Sequence, residues 1–236
     1  MNFTYKAYID LLSLLKQNGY SVTDYHSYMQ VEKPVILRHD VDDSLVKALD
    51  LARIENSEGV RSTYFVLLST DIYNIASKKS MDMIGEIQSL GHEIGLHFDE
   101  MKYEGSDCPV DELIRREAHI AEQIIGTPIR VVSMHRSSKE TLEADYTIDG
   151  MINSYGMEFF KGFKYVSDSR RRWRENVEEI ITSGRYSRLH ILTHAFWYNE
   201  EESDIRTALS DFIEAGKQYR YEAVKDNITD LEGILN

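Results

Sequence analysis

The sequence predicts an α/β fold, a barrel in which about seven parallel strands alternate with helices. Short apolar runs of strand length alternate with segments of helical periodicity along the chain, which is typical of parallel sheets. The chain has no glycine-rich phosphate loop, so a closed barrel is favoured over a nucleotide-binding sheet. Polar residues gather directly after the predicted strands, as they do on the rim of a barrel. A doubly wound open sheet is the alternative.

The first half of the chain gives a helix and then three strands. The N-terminal segment is amphipathic and ends at Asn18-Gly19. Because it contains Asp10 and lacks a basic flank, we predict a helix rather than a signal peptide. Apolar runs then predict strands at 34–37, 63–68 and 92–97. Segments with apolar residues at helical spacing separate these strands, and they stop at Gly59 and Gly91.

The second half repeats this alternation. Apolar residues from Val110 to Ile124 line a helix that ends at Gly126. Four further strands are predicted at 129–134, 151–155, 163–166 and 189–192. A last long helix carries apolar residues at helical spacing from Ile205 to Ile213. Since no linker or repeat interrupts the chain, we predict one domain over 1–236, with the terminal helices packed on a core of about 34–196.

Composition excludes several classes of protein. The 27 lysines and arginines stand against 40 acidic residues, a formal net charge of −13, which disfavours binding to duplex nucleic acid and to anionic lipid. The single cysteine, Cys108, excludes an internal disulfide and a cysteine-rich zinc site. No apolar run is long enough to span a bilayer. We therefore expect no membrane insertion and a cytoplasmic location, and the oligomeric state stays open.

Residues suited to hydrolysis follow the strands. Asp40 and Asp42 follow the first strand, Ser69 and Asp71 the second, His97 and Asp99 the third, His135 and Arg136 the fourth, Asp168 the sixth and His194 the seventh. The carboxyl ends of parallel barrel strands meet on one rim, where such barrels carry out their chemistry. We therefore expect these side chains to form one site.

Strand geometry selects among these residues. Asp40 and Asp42 point the same way, and two close carboxylates repel unless a cation or a proton lies between them. The alternative is that Arg38, on the same face, simply pairs with Asp40. His97 is favoured as a ligand at its strand end, whereas His92, an odd number of residues away, is expected to be structural. His190 lies deeper in its strand than His194 and is interpreted as a packing residue.

Four stretches resemble the motifs of the polysaccharide deacetylase superfamily (NodB-like, carbohydrate esterase 4), in the family's order. They are Leu37-Arg38-His39-Asp40-Val41-Asp42, Gly91-His92-Glu93-Ile94-Gly95-Leu96-His97, His135-Arg136 and Leu192-Thr193-His194. The residues of these motifs are most similar to those of the WbmS-like branch, which is associated with surface-polysaccharide loci. The resemblance implies a single-domain, distorted (β/α)₇ barrel of the NodB/glycoside hydrolase-deacetylase type.

The resemblance also implies a role for each matching residue. Asp40 resembles the general base, Asp42 and His97 resemble metal ligands, and Arg136 resembles the arginine that holds the base. His194 resembles the general acid, and Asp168 resembles the acidic residue beside it. The metal implied is divalent, with zinc first and cobalt, nickel or manganese as alternatives.

The chain departs from the family at the third metal ligand. The family's second histidine falls at Met101, and a thioether is too soft for a site of carboxylate and imidazole. Because catalytic zinc sites have three protein ligands, we predict His135 as the replacement, with Asp99 and Glu100 as alternatives. The alternatives are that His135 binds substrate and that the site holds no metal.

The favoured function is metal-dependent removal of an N-acetyl group from an amino sugar of a surface polysaccharide or its cytoplasmic precursor. Arg170, Arg171, Arg172 and Trp173 follow the sixth strand. We predict substrate contacts at Arg172 and Trp173, suited to an anionic sugar, with a solvated helix start as the alternative. The rival functions are hydrolysis of another small amide or cyclic imide, and glycan binding by a catalytically degenerate barrel.

Overall fold

A single parallel sheet organises the protein. The computed structural model describes residues 1–235. The strands of this sheet are β1 (Ser21–Thr23), β2 (Pro34–Val41), β3 (Thr63–Leu67), β4 (Glu93–Asp99), β5 (Val131–His135), β6 (Ile152–Asn153), β7 (Lys164–Ser167) and β8 (Leu189–Thr193). Seven of them lie side by side in the order β6-β5-β4-β3-β2-β8-β7. Strand β1 pairs with β2 and lies outside this order. Strands β2 to β6 are neighbours in chain order, so the doubly wound alternative is wrong.

Helices occupy the segments between the strands. They are α1 (Tyr5–Gln17), α2 (Leu45–Ser57), α3 (Lys78–Ser89), α4 (Val110–Ile125), α5 (Lys139–Glu143), α6 (Met157–Phe160), α7 (Val177–Thr182), α8 (Ile205–Lys225) and α9 (Leu231–Leu235). Hydroxyl side chains cap the N-termini of several of these helices. At the start of α2, for example, the Ser44 hydroxyl accepts a hydrogen bond from the Lys47 amide. No helix within residues 1–235 is both long and apolar enough to cross a membrane.

The sheet curls into an incompletely closed barrel. In a flat sheet, β2 and β6 would lie about 19 Å apart, four steps of roughly 4.8 Å. Arg38 in β2 nevertheless donates a hydrogen bond to Ser154, directly after β6, over 2.8 Å. In the described part of the chain β6 and β7 do not pair, so the barrel is open between them. The distorted (β/α)₇ barrel class is therefore confirmed, with β1 as an additional strand.

Alternate residues of the strands supply two different cores. Val35, Leu37 and Val41 of β2 point outwards and join the large apolar core that also takes in buried residues of the helices. Ile36 points inwards and joins a smaller, aromatic cluster. The buried members of that cluster are Tyr25, Tyr28, Ile36, Phe65, Val131, Phe159 and Phe163. Arg38 and Asp40 share the inward direction of Ile36, which places polar groups above this aromatic floor.

Two compact units divide the chain. Residues Met1–Glu200 form the first unit and contain the whole sheet, and the second begins at Glu201 and contains α8 and α9. The predicted single domain with a C-terminal helix packed on the barrel stays a prediction. Sequence reasoning missed β1, because its three residues include one apolar side chain and give no run to detect.

Candidate active site

Three residues from neighbouring strand ends converge on the barrel rim. Asp42 follows β2, His97 lies near the end of β4, and His135 is the last residue of β5. Asp42 Oδ1 lies 3.1 Å from His97 Nε2 and 3.4 Å from His135 Nδ1. One possible ligand atom from each residue lies within 4.8 Å of the others. The structure thus brings together the three residues predicted as metal ligands.

The spacing and chemistry of this group fit a divalent metal ion. With metal–ligand bonds of about 2.1 Å, two tetrahedral ligands lie about 3.4 Å apart, close to the separations from Asp42. Although Asp42 Oδ1 is buried and close to both imidazoles, it has no hydrogen-bond partner among residues 1–235. Burial and the neighbouring His97 lower the pKa of His135, which favours the neutral imidazole that a metal requires. One carboxylate with two imidazoles is a donor set typical of zinc sites.

Local backbone geometry explains why His135 can face this group. Ser133 and His135 alternate onto the inner face of β5, and His135 stands in register with Asp99 of β4. Arg136 then adopts the left-handed conformation, with φ of 51°, so the strand ends there. Gly95, two residues before His97, admits no side chain, since a Cβ would lie 2.6 Å from the Phe65 ring.

Asp40 is buried beside these residues and paired with an arginine. One Nη of Arg38 donates to both carboxylate oxygens of Asp40, over 3.0 and 2.7 Å. Burial alone would raise the pKa of Asp40, but the Arg38 charge outweighs it and lowers that pKa. Asp40 is therefore ionised at neutral pH and able to accept a proton. The structure therefore contains the pair of Arg38 with Asp40 that the sequence left open as an alternative.

His194 and Asp168 form a hydrogen-bonded pair at the ends of strands β8 and β7. His194 Nδ1 lies 2.7 Å from Asp168 Oδ1, and Asp168 also accepts hydrogen bonds from the His194 amide and the Tyr198 hydroxyl. Burial opposes the charged ring, but the Asp168 bond and the charges of Asp168, Asp40 and Asp42 raise the pKa of His194 to about 9. His194 Nε2 lies 3.7 Å from Asp42 Oδ2. A protonated imidazole therefore faces the group of possible ligands. No pattern in the sequence pointed to Tyr198.

Arg136 does not hold Asp40, which corrects the role expected from the resemblance. Its guanidinium pairs with Asp99, with Nε 3.1 Å from Oδ1. The left-handed turn at Arg136 directs this side chain away from the barrel interior, where Arg38 occupies the place beside Asp40. The same ion pair occupies the carboxylate of Asp99.

The remaining candidates for the third ligand lie elsewhere. Glu100 accepts a hydrogen bond from the Ser138 amide over 2.9 Å. Met101 is 46% exposed. Asp99, Glu100 and Met101 are absent from the group of possible metal ligands found in the described structure. His135 is thus the better placed of the predicted alternatives.

The two predicted substrate contacts differ in their surroundings. Arg172 is exposed directly after the short 3-10 helix Ser169–Arg171 that follows Asp168. Trp173 is half-buried and packs against the large apolar core. A substrate contact at Arg172 remains a prediction that its exposure permits. The packing of Trp173 favours a structural role for most of its ring.

Two further histidines lie outside the rim, as expected. His92 is buried on the outer side of the sheet, where its Nδ1 accepts from the Ser62 amide and its Nε2 lies 3.0 Å from the Ala52 carbonyl. His190 lies inside the barrel, with Nε2 2.7 Å from the Tyr25 hydroxyl. Burial lowers the pKa of His190 to about 3, so this ring is neutral and packs with aromatic neighbours.

Comparisons with known proteins give structural neighbours only. No protein-family model matches the sequence, and no curated protein matches it. A family 4 carbohydrate esterase from Bacillus anthracis is 17% identical, with 93% of each chain covered and a TM-score of 0.43. A chitin deacetylase from the fungal pathogen Colletotrichum lindemuthianum is 16% identical, covering 84% of this chain and 87% of that one, with a TM-score of 0.49.

A third neighbour is a family 4 carbohydrate esterase pseudoenzyme from Bacillus anthracis. It is 13% identical, covers 80% of this chain and 62% of its own, and has a TM-score of 0.43. The neighbours thus include proteins named as enzymes and one named as a pseudoenzyme. What each of them hydrolyses or binds is a property of that protein. The chemistry of the present chain has to be inferred from its own side chains.

Proposed function

We propose that this protein is a metal-dependent hydrolase that removes an N-acetyl group from an amino sugar. The observation that carries the proposal is the arrangement around Asp42, His97 and His135. Of these possible ligands, His97 lies 3.7 Å from a carboxylate, Asp40, and Asp42 lies 3.7 Å from an imidazole whose pKa is raised, His194. Hydrolysis of an amide needs a base for water and an acid for the amine, and the two groups supply both.

The metal would be held by Asp42, His97 and His135. A divalent ion there, with zinc as our first choice, supplies a Lewis acid that polarises the acetamide carbonyl and acidifies water. His97 Nε2 also lies 3.7 Å from Asp40 Oδ2. Through this contact Asp40, the proposed base, lies next to the three possible ligands but is not one of them.

Asp40 and His194 divide the proton transfers. Asp40 takes a proton from the attacking water as the new C–O bond forms. His194 gives the proton on Nε2 to the amine nitrogen as the C–N bond breaks, which leaves acetate and a free amino sugar. Asp168 holds Nδ1 of His194 and fixes the direction in which Nε2 points. An amine is a poor leaving group, so this protonation is essential.

The substrate we favour is an amino sugar of a surface polysaccharide or its cytoplasmic precursor. This choice follows the likeness of the motifs to the WbmS-like branch. Arg172 supports it, because an exposed arginine four residues after Asp168 suits an anionic sugar such as a uronic acid or a nucleotide-linked sugar.

The test is acetate release from N-acetylated amino sugars by the metal-loaded protein, measured together with metal content. Small amides and cyclic imides serve as competing substrates. We expect acetate from an amino sugar, loss of activity on chelation, and recovery on addition of zinc. Full metal occupancy with no turnover of any amide, but with saturable glycan binding, would overturn the proposal in favour of a binding protein.

A further inference from the structure

Arg38 is an arginine in the barrel interior. Its side chain is 0% exposed. One Nη donates to Asp40 and, over 2.6 Å, to the Ser133 hydroxyl, while the other donates to Ser154 over 2.8 Å. A buried guanidinium requires partners of this kind, because an unpaired charge in the interior is strongly unfavourable.

Two aromatic rings complete the enclosure. The guanidinium carbon lies 5.1 Å from the centre of the Phe65 ring and 4.8 Å from that of Tyr155, within the range of cation–π contacts. The plane of the guanidinium is therefore held by rings, and its direction by two hydroxyl groups. Such a rigid cation can fix the carboxylate that it binds.

We propose that Arg38 is the positioning residue for Asp40. It fixes the carboxylate on the floor of the site, with Oδ2 turned towards His97 Nε2 at 3.7 Å. Asp40, which receives the proton, and Arg38, which holds Asp40, thus lie two residues apart on one strand. Arg38 is too deep to touch the substrate. This inference rests on the proposed function insofar as Asp40 is the base.

The placement differs from the one that the motif resemblance implies. There the cation would come from Arg136, after β5, and a change in that turn would move the base. Here Ser133 and Ser154 connect Arg38 to β5 and to the residue after β6. Because the contacts of Arg38 reach across the barrel, the position of Asp40 depends on the curl of the sheet rather than on the turn at Arg136.

The test compares Arg38→Met and Arg38→Lys with the control Arg53→Met, which removes an arginine–glutamate pair with Glu86 on the helix surface. For Arg38→Met we expect kcat to fall about 10²-fold, as when a catalytic base is misplaced. KM and metal content should change little. Arg38→Lys should recover part of kcat, since an ammonium restores the positive charge but not the planar set of donors that the guanidinium presents. An equal fall in kcat for Arg53→Met, or unchanged kcat in Arg38→Met, would overturn the proposal.

A crystal structure of Arg38→Met gives a readout that needs no activity. We expect the Asp40 carboxylate to leave its position beside His97, and an unchanged Asp40 would contradict the proposal even if no amide proved to be a substrate. Should Arg38→Met fail to fold, Ser133→Ala with Ser154→Ala decides. This double variant keeps the charge pair but frees the guanidinium, so we expect a shifted Asp40 with full metal content.

Discussion

Each of the two faces of strand β2 leads to a group of buried polar residues, and the two groups serve different purposes. The inner face leads to the rim cluster, which consists of Asp40, Asp42, His97, His135 and His194. The outer face carries His39, which belongs to the Glu55 network, made of Tyr8, His39, Glu55, Ser62, Tyr64 and His92. Both groups contain carboxylates and imidazoles in close contact, so composition alone does not distinguish them.

Hydrogen bonding distinguishes them. In the Glu55 network each carboxylate oxygen accepts two hydrogen bonds: Oε1 from Tyr8 and His39, and Oε2 from Ser62 and Tyr64, over 2.6 to 2.9 Å. In the rim cluster Asp42 Oδ1 is buried close to two imidazoles but has no hydrogen-bond partner within residues 1–235. Buried polar groups are normally satisfied, so an unsatisfied carboxylate oxygen beside two possible ligands indicates a bound group. The outer network stabilises the fold, and the inner cluster is suited to binding and chemistry.

The largest effects should come from the two aspartates of the rim cluster. Asp40→Asn should abolish acetate release while metal content stays near one equivalent, because Asp40 transfers a proton. Asp42→Asn should lose both, because Asp42 is a ligand. Metal analysis and initial rates on the purified variants check this division. Equal metal loss in both variants would show that the two roles have been separated incorrectly.

His194→Gln should lower the rate by about 10² to 10⁴, the usual contribution of a general acid or base. Glutamine retains hydrogen-bonding capacity but carries no transferable proton, and the metal ligands are untouched. Metal content should therefore match the wild type, as measured by mass spectrometry alongside kcat. A fully active variant would assign the acid to another group.

The sequence predicted most of the fold and the membership of the rim cluster. Periodicity located seven strands, and the parallel arrangement placed their carboxyl ends together, so Asp42, His97, His135 and His194 could be grouped correctly. The pairing of Arg38 with Asp40 could only be an alternative, because it depends on how tightly the barrel curls. The partner of Arg136 depends on one left-handed residue, which no local pattern in an arginine predicts.

In the Glu55 network, substitution should affect stability rather than chemistry. Glu55→Gln places an amide opposite donors that need an acceptor, and we expect a loss of about 2 to 4 kcal/mol in the free energy of unfolding. Metal content and KM should change little. Denaturant unfolding checks this, with the exposed-surface substitution Lys6→Ala as the control. A selective loss of metal in Glu55→Gln would contradict the contrast between the two faces.

The same residue predicts the response of stability to acid. Burial alone would raise the pKa of Glu55, but His39, His92 and the Ser62 hydroxyl lower it to about 2 from an ordinary value of 4.5. Since the folded state holds the carboxylate ionised, its contribution is complete above about pH 4.5 and is lost as the pH falls towards 2. We expect about 3 kcal/mol to disappear over this window. Unfolding measured across it should be less dependent on pH in Glu55→Gln, and an identical dependence would contradict this assignment.

The most direct test of the account is metal content in three alanine variants, His135→Ala, Asp99→Ala and Glu100→Ala. His135 lies 3.4 Å from Asp42 Oδ1, whereas Asp99 is paired with Arg136 and Glu100 with the Ser138 amide. We predict that His135→Ala loses most of its metal while the other two retain close to one equivalent. A full equivalent of metal in His135→Ala would show that His135 is not a ligand and would contradict the proposed site.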